Sequence, residues 1–266
     1  KHKEFSTAIW IGTPRTTIYH IDPAYGGGDR CIVGTSEFGD DQDGNLVFAV
    51  GTPEILPIRI NCGIEPEDQI AEFVFTRTKQ LGIPPENIFY DSFGGGLLGG
   101  AFPKVFGFNC PVAVNSGDPT TDRPVRFDLF VEELIGGRKT RRLKTCREHY
   151  SKFVTEMWFS TREMIESNQT RNLPLSVARE GQLRLFKIVA GNKIEVESKD
   201  DMKERVKKSP DEYDWFAIGV EGARRLGFRI ERIGRDVKVS EKAPDDFFDK
   251  EVESWDNAIK SGLIKF

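Results

Sequence analysis

The sequence predicts an α/β domain in which helices flank a mixed central sheet. Three observations lead to this prediction: strand-like segments come first, an amphipathic helix follows them, and another strand comes directly after that helix. The chain has 266 residues, of which 38% are hydrophobic and 30% charged, so it can bury a sizeable core. No apolar run reaches the roughly 20 residues of a membrane helix, so we expect no membrane partner.

The first three strands are expected to pair in antiparallel order. Residues 16–25 have strand composition up to Pro23, and a glycine-rich turn leads to a second strand at 31–36. A polar turn with an Asp-Gly-Asn signal then precedes a third strand at 46–50. Short turns between consecutive strands favour this antiparallel start.

A helix is predicted to begin at Pro66 and to end at Gly82, because its apolar residues recur at helical spacing. A short apolar strand at 87–91 follows and runs into a glycine-rich bend. The order β-β-β-α-β, with a helical crossover before the fourth strand, is that of the RNase H-like fold of RuvC-type resolvases and integrases.

The second half is predicted less completely. We expect a strand at 111–115 and an inserted basic region after it. A long helix is expected at 152–167, a hairpin from strands 183–189 and 193–196, and a last helix starting near Ser209. We therefore predict an RNase H-like domain over residues 1–228 and a C-terminal appendage of unknown role over residues 229–266.

Three aspartates are the candidate catalytic and metal-binding residues. Asp22 ends the first strand, Asp91 ends the fourth, and Asp214 lies in the last helix. Adjacent strand ends and a helix packed across them would bring these like charges together, and oxygen ligands suit Mg²⁺ or Mn²⁺. Two such ions, about 3.5–4 Å apart, could hydrolyse a phosphodiester. The alternative for Asp22 and Asp91 is an ordinary aspartate before a turn.

Asp211 has two interpretations. Ser209, Pro210 and Glu212 are typical of a helix start with a capping box, and an acid in the first turn complements the helix dipole. Asp211 is therefore either a structural residue or an additional metal ligand. His20, on the first strand, is interpreted as a core histidine.

Positive charge is concentrated in one stretch although the net charge is −4. Candidate DNA-binding residues are Arg138, Lys139, Arg141, Arg142, Lys144, Lys199 and Lys203. The alternative for the stretch from 138 to 144 is a solvated loop or helix face. Lys199 and Lys203, just ahead of the last helix, could neutralise a phosphate near the metals or lie exposed to solvent.

Several motifs in order resemble the large terminase subunit of tailed bacteriophages. They are IDPAYGGGD at 21–29, YDSFGGG at 90–96, EMWF at 156–159, KDDMK at 199–203 and SPDEYD at 209–214. The resemblance runs from about residue 16 to residue 226.

The resemblance implies the C-terminal RNase H-like nuclease domain of that subunit, which cuts concatemeric double-stranded DNA with two Mg²⁺ or Mn²⁺ ions. Asp22, Asp91 and Asp214 match the family's first-strand, fourth-strand and final-helix acids, and Asp211 matches an earlier position that is often acidic. Implied partners are double-stranded DNA, the subunit's N-terminal ATPase domain, the small terminase subunit and the portal of the procapsid. The implied location is the cytoplasm of an infected bacterial host.

Other functions remain open at this point. A Holliday-junction resolvase or another RNase H-like nuclease would share the fold and the acids. An actin-like ATPase or sugar kinase could use residues 91–96 as a phosphate loop. A binding module without catalysis is the weakest alternative. The sequence has no Gly-x-x-x-x-Gly-Lys-Ser/Thr phosphate loop, so we expect no ATPase of that kind in this chain.

Overall fold

The computed structural model describes residues 10, 16–26, 29–92 and 96–234. The strands of the central sheet are β1 (Thr16–Asp22), β2 (Cys31–Asp40), β3 (Leu46–Val50), β4 (Glu54–Leu56), β5 (Ile88–Asp91), β6 (Val112–Val114) and β9 (Thr170–Arg171). Two hairpins are formed by β7 (Phe130–Ile135) with β8 (Arg138–Leu143) and by β10 (Phe186–Val189) with β11 (Lys193–Val196).

The helices are α1 (Pro66–Leu81), α2 (Leu97–Phe106), α3 (Cys146–His149), α4 (Phe153–Glu166), α5 (Leu175–Gly181), α6 (Lys199–Val206) and α7 (Asp211–Arg225). A 3-10 turn, Pro85–Asn87, precedes β5. Within the described residues, no helix has the length and apolar character needed to span a membrane.

The sheet confirms the predicted RNase H-like architecture. Its strand order is β6, β5, β1, β2, β3 and β9, with β4 attached to β2. The strands β1, β2 and β3 are antiparallel to one another, whereas β5 runs parallel to β1 and β6 runs parallel to β5. The crossover through α1 therefore puts the end of β5 beside the end of β1.

Both faces of the sheet are covered, and alternate residues of β1 point to opposite faces. Tyr19 and Ile21 join a buried cluster with α1 and α2. His20 packs under α7, where its ring stacks on Trp215 at 4.1 Å between centroids. The ring also bonds the Trp215 carbonyl (2.8 Å) and the Ser36 hydroxyl (2.9 Å), so His20 is the core residue that was predicted.

One interpretation of the sequence was wrong. Residues 138–143 of the basic stretch are neither a loop nor a helix face, because they form β8 of an exposed hairpin in which every residue of the strand pairs with β7. Lys199 and Lys203 lie on a helix of their own, α6, which Ser198 caps by accepting a hydrogen bond from the Asp201 amide.

The helix α2 was not predicted, since Gly99, Gly100 and Pro103 weaken its helical pattern. Aromatic packing stabilises this helix despite its low intrinsic propensity. Phe106 makes an edge-to-face contact with Phe75 of α1, and Phe102 makes one with Tyr90 of β5.

The helix α7 lies unusually close to the sheet because of two glycines. A Cβ atom at Gly219 would lie 2.6 Å from the His20 ring, and one at Gly222 would lie 2.5 Å from the Phe89 ring. Side chains from the first turn of α7 can therefore reach the ends of β1 and β5.

A buried ion network fixes α4 against α7. Arg224 of α7 contacts Glu156 of α4 at 3.2 Å, and Arg123 donates to both Glu156 (3.3 Å) and Glu221 (2.8 Å). Buried charges are tolerated only when they are paired in this way. The network sets the position of α4 along α7.

The chain after α7 stays bonded to the domain as far as Ile233, whose amide donates to the Ser167 carbonyl at 3.0 Å. The carbonyl of Ile230 accepts from the Phe127 amide at 2.8 Å. The first residues of the predicted appendage therefore contact the domain. Residues 235–266 lie outside the described part of the chain.

We expect Gly222→Ala to lower the free energy of unfolding by about 1–3 kcal/mol, because the new methyl group must displace Phe89 or the helix. The intrinsic helix propensity of alanine offsets only ~1 kcal/mol of this. The control is Gly100→Ala in α2, where the methyl group meets open space and stability should rise. Urea unfolding of both variants measures the difference, and similar shifts would contradict the close approach.

Stability should also fall in acid because of His149. Burial, with help from the nearby cations Lys144 and Arg126, lowers the pKa of His149 from 6.5 to about 3. Below pH 6.5 the unfolded chain binds a proton that the folded chain refuses, so stability decreases as pH falls towards 3. The limiting slope for one such group is about 1.4 kcal/mol per pH unit.

The test compares wild type with His149→Phe, which keeps a ring but cannot titrate. Chemical unfolding between neutral pH and about pH 4 should show a shallower pH dependence for the variant. Equal slopes in the two proteins would contradict the assignment.

Candidate active site

Two of the predicted acids lie side by side at the edge of the sheet. Asp22 is the last residue of β1 and Asp91 the last of β5, and these parallel strands are in register at Ile21 and Tyr90. The Asp22 side chain faces α7, as His20 does, and the residue is only 7% exposed. The crossover topology thus brings together acids that are 69 positions apart in the sequence.

Asp214 is held by side chains from two other helices. The indole nitrogen of Trp158, on α4, donates to Asp214 Oδ1 at 3.0 Å. The ammonium group of Lys199, on α6, lies 2.9 Å from Asp214 Oδ2. Both carboxylate oxygens therefore have a donor, and three helices meet at this group.

Asp211 is buried and only partly satisfied. It is 3% exposed, and its Oδ2 accepts from the backbone amide and the Nε of Arg30, both at 3.2 Å. Its Oδ1 is buried without a hydrogen-bond partner among the described residues. A buried oxygen in that state is unfavourable unless it meets a donor or a cation.

The start of α7 differs from the capping box that was predicted. The helix begins at Asp211 with Pro210 at the cap position, and it has no side-chain cap of its own. Instead Glu180 of α5 accepts from the amides of Glu212 (2.8 Å) and Tyr213 (3.2 Å). A tertiary neighbour thus satisfies the free amides of the first turn.

Glu180 also gathers two cations at the same place. Its Oε1 lies 2.7 Å from Lys208 and 3.1 Å from Arg30, which in turn holds Asp211 and Glu212. The Glu180 residue is 1% exposed. This carboxylate therefore fixes both the helix terminus and the arginine that positions Asp211.

The four aspartates share one electrostatic environment. Burial raises the pKa of Asp22 well above its usual range; Lys199 opposes this, whereas Asp214, Asp91 and Asp211 raise the pKa further. Burial opposes the charge on Lys199, but Asp214 and Asp22 raise its pKa above the ordinary value. The acids are thus close enough to destabilise one another as anions, with Lys199 as a counter-charge.

The described residues contain no group of three or more acidic, histidine or cysteine side chains already close enough to hold a metal ion. The donor set is nonetheless oxygen only, as hard divalent cations prefer. It also includes the unsatisfied Oδ1 of Asp211.

The other predicted cations lie elsewhere. Lys203 pairs with Asp29 at 2.7 Å. On the β7–β8 hairpin, Lys139 pairs with Glu132, Arg142 with Glu133 and Glu148, and Arg141 lies over the Phe130 ring. The hairpin strand β8 and Lys203 are thus held by local partners, and Lys199 alone of these candidates contacts Asp214 among the described residues.

Sequence reasoning missed several residues of the site. Trp158 lay within the EMWF motif but was given no role, although it bonds Asp214. Arg184 stacks over Trp158 at 4.5 Å and lies 4.0 Å from Asp214 Oδ1. Glu180 and Arg30 had no signal in the sequence, because their partners lie far away along the chain.

The chain is similar in fold to solved structures of a large terminase subunit, including its nuclease domain. The nuclease domain of the large terminase subunit gp2 of bacterial virus Sf6 matches with a TM-score of 0.50 and 12% identity, covering 82% of this chain and 92% of that one. A lysine-to-alanine mutant of that protein with calcium gives 0.51 and 11%, over the same shares of each chain. The mutant nuclease domain with manganese and beta-thujaplicinol gives 0.50 and 11%, again over the same shares.

No protein-family model and no curated protein matches the chain. At identities this low the likeness concerns the fold, and it confirms that this chain has the RNase H-like fold of a terminase nuclease domain.

We expect Glu180→Gln to lower the free energy of unfolding by about 2 kcal/mol, because it removes a buried carboxylate that pairs with both Arg30 and Lys208. Glu132→Gln is the matched control, since its partner Lys139 is exposed and the pair should contribute little. Thermal and urea unfolding of both variants measure this. A Glu180→Gln variant as stable as Glu132→Gln would contradict the role assigned to Glu180.

Proposed function

We propose that this chain is the metal-dependent nuclease domain of a viral DNA-packaging terminase, which cuts concatemeric double-stranded DNA. The observation that carries the proposal is that Asp91, Asp211 and Asp214 all act on the buried Asp22 at one end of an RNase H-like sheet, with Lys199 as a counter-charge. Carboxylates repel one another when they are clustered, and such a cluster is typical of a site that binds a cation.

The residues present fit two Mg²⁺ or Mn²⁺ ions. Asp22, Asp91 and Asp214 would be the main ligands, and the buried Oδ1 of Asp211, which has no hydrogen-bond partner among the described residues, supports that residue as a further ligand. When bound, such ions would activate a water molecule and stabilise the leaving oxygen of the phosphodiester. Solved relatives in fold were determined with manganese or calcium, which supports a divalent cation here.

The residues around the acids have supporting roles. Trp158 and Lys199 orient the carboxylate of Asp214, and Lys199 also supplies a positive charge for a phosphate. The β8 cations, together with Lys144 and Lys203, would contact DNA farther out. The ion pairs of the hairpin are exposed and weak, so that DNA phosphates can compete for these cations.

The wider assembly follows from the resemblance of the sequence motifs. We propose an N-terminal ATPase domain in the same subunit, and a small terminase subunit and a procapsid portal as partners, in the cytoplasm of an infected bacterium. We propose residues 229–266 as a C-terminal appendage of unknown role.

The experiment is plasmid cleavage in Mg²⁺, Mn²⁺ or EDTA by wild type, Asp22→Asn, Asp91→Asn, Asp211→Asn and Asp214→Asn. We expect cutting only with metal, and a loss of more than about a hundredfold for Asp22, Asp91 and Asp214. Asp22→Asn should not lower the thermal midpoint, since it removes one of several repelling charges. Loss of activity without loss of stability therefore assigns a chemical role.

Other results would change the proposal. If Asp211→Asn is inactive and Asp214→Asn active, Asp211 takes the place of Asp214 as the main ligand on α7. A strong preference for four-way junctions over plasmid would favour a resolvase. Binding of ATP without any cutting would overturn the nuclease and favour an actin-like ATPase.

A further inference from the structure

The acid cluster has a buried arginine beside it whose hydrogen-bonding capacity is mostly unused. The Arg184 side chain is 5% exposed, and its Nε donates to the Glu197 carbonyl at 2.9 Å. Its guanidinium lies over the Trp158 ring at 4.5 Å. Within the described part of the chain, its terminal nitrogens make no hydrogen bond, and their contact with Asp214 Oδ1 is 4.0 Å long.

Arg184 is not needed to neutralise Asp214. Lys199 already lies 2.9 Å from one oxygen of that carboxylate, and the Trp158 indole donates to the other at 3.0 Å. Burial lowers the pKa of Arg184, although Asp214 and Glu197 oppose this shift. The protein partners of the guanidinium therefore do not fully offset the free energy that burying its charge costs.

The position of Arg184 is fixed in advance. The bond to Glu197 and the stacking on Trp158 restrain the side chain, and the planar fork of terminal N–H groups is the geometry that binds a phosphate by two parallel hydrogen bonds. The nearby Asp214 and Lys199 side chains are 17% and 37% exposed, so the space that these groups share opens to solvent. A phosphate at the acids would meet Arg184 there.

We propose that Arg184 binds a backbone phosphate of duplex DNA at the acid cluster. This inference rests on the proposed nuclease function, and it assigns a substrate contact to a residue for which the sequence gave no signal. Trp158 then has two roles, because its edge holds Asp214 while its face supports the arginine.

The test uses Arg184→Met and Arg184→Lys, with Arg205→Met as the matched control. The Arg205→Met substitution removes the same charge, but Arg205 lies on α6 and is bonded to the Glu197 side chain and the Leu183 carbonyl. Binding of a short fluorescein-labelled duplex is followed by anisotropy at several salt concentrations, with Ca²⁺ in place of Mg²⁺, and gels confirm that the duplex stays intact. Cleavage kinetics in Mg²⁺ or Mn²⁺ give KM and kcat separately.

Arg184→Met should bind duplex roughly tenfold more weakly than wild type. The slope of log affinity against log salt should fall by about 0.9, which is the effect of one lost phosphate contact. Arg184→Lys should be intermediate, because it keeps the charge and loses the fork. A purely structural arginine would change the thermal midpoint but leave the salt slope as it is in Arg205→Met.

If the wild-type protein binds and cuts DNA but Arg184→Met leaves the salt slope and KM unchanged, this inference alone is overturned. Wild-type protein that neither binds nor cuts duplex would overturn the proposed function itself. If Arg184→Met does not fold, Arg184→Lys decides: full wild-type affinity and slope in that variant reject a two-bond phosphate contact.

Discussion

The candidate site depends on how closely α7 approaches the sheet. Side chains normally set the distance between a helix and a sheet. Gly219 and Gly222 have no side chain, so the backbone of α7 packs directly against the rings of His20 and Phe89. Only at that separation can carboxylates from its first turn share an environment with Asp22 and Asp91. The site's chemistry thus follows from a packing constraint in the middle of the helix.

The repulsion among the acids is balanced from outside the sheet. Lys199 lies on a short helix that follows a hairpin, and Trp158 lies on a long helix that buried ion pairs hold in place. Arg30 immediately precedes the strand that pairs with β1. Each of these residues donates to at least one of the carboxylates. Elements that look like additions to the central fold are therefore what make the acid cluster stable.

Much of the fold could be predicted from the sequence because its signals are local. Periodicity and turn residues predict five elements, β1, β2, β3, α1 and β5. Their order along the chain identifies the fold. The helix α2 could not be predicted from the sequence, because its glycines and proline disfavour a helix and tertiary contacts stabilise it instead. Asp22 and Asp91 were identifiable because strand ends fix their place, whereas Glu180 and Arg184 act through partners that no local pattern reveals.

The capping of α7 by Glu180 has a consequence for the entropy of the site. Helix ends ordinarily fray, and a carboxylate in a fraying turn samples many positions. Here the amides of Glu212 and Tyr213 are bonded to a buried side chain of another helix, so the turn that carries Asp211 and Asp214 is ordered before any ligand arrives. The conformational entropy of these two carboxylates is lost during folding, and an incoming cation does not have to order them.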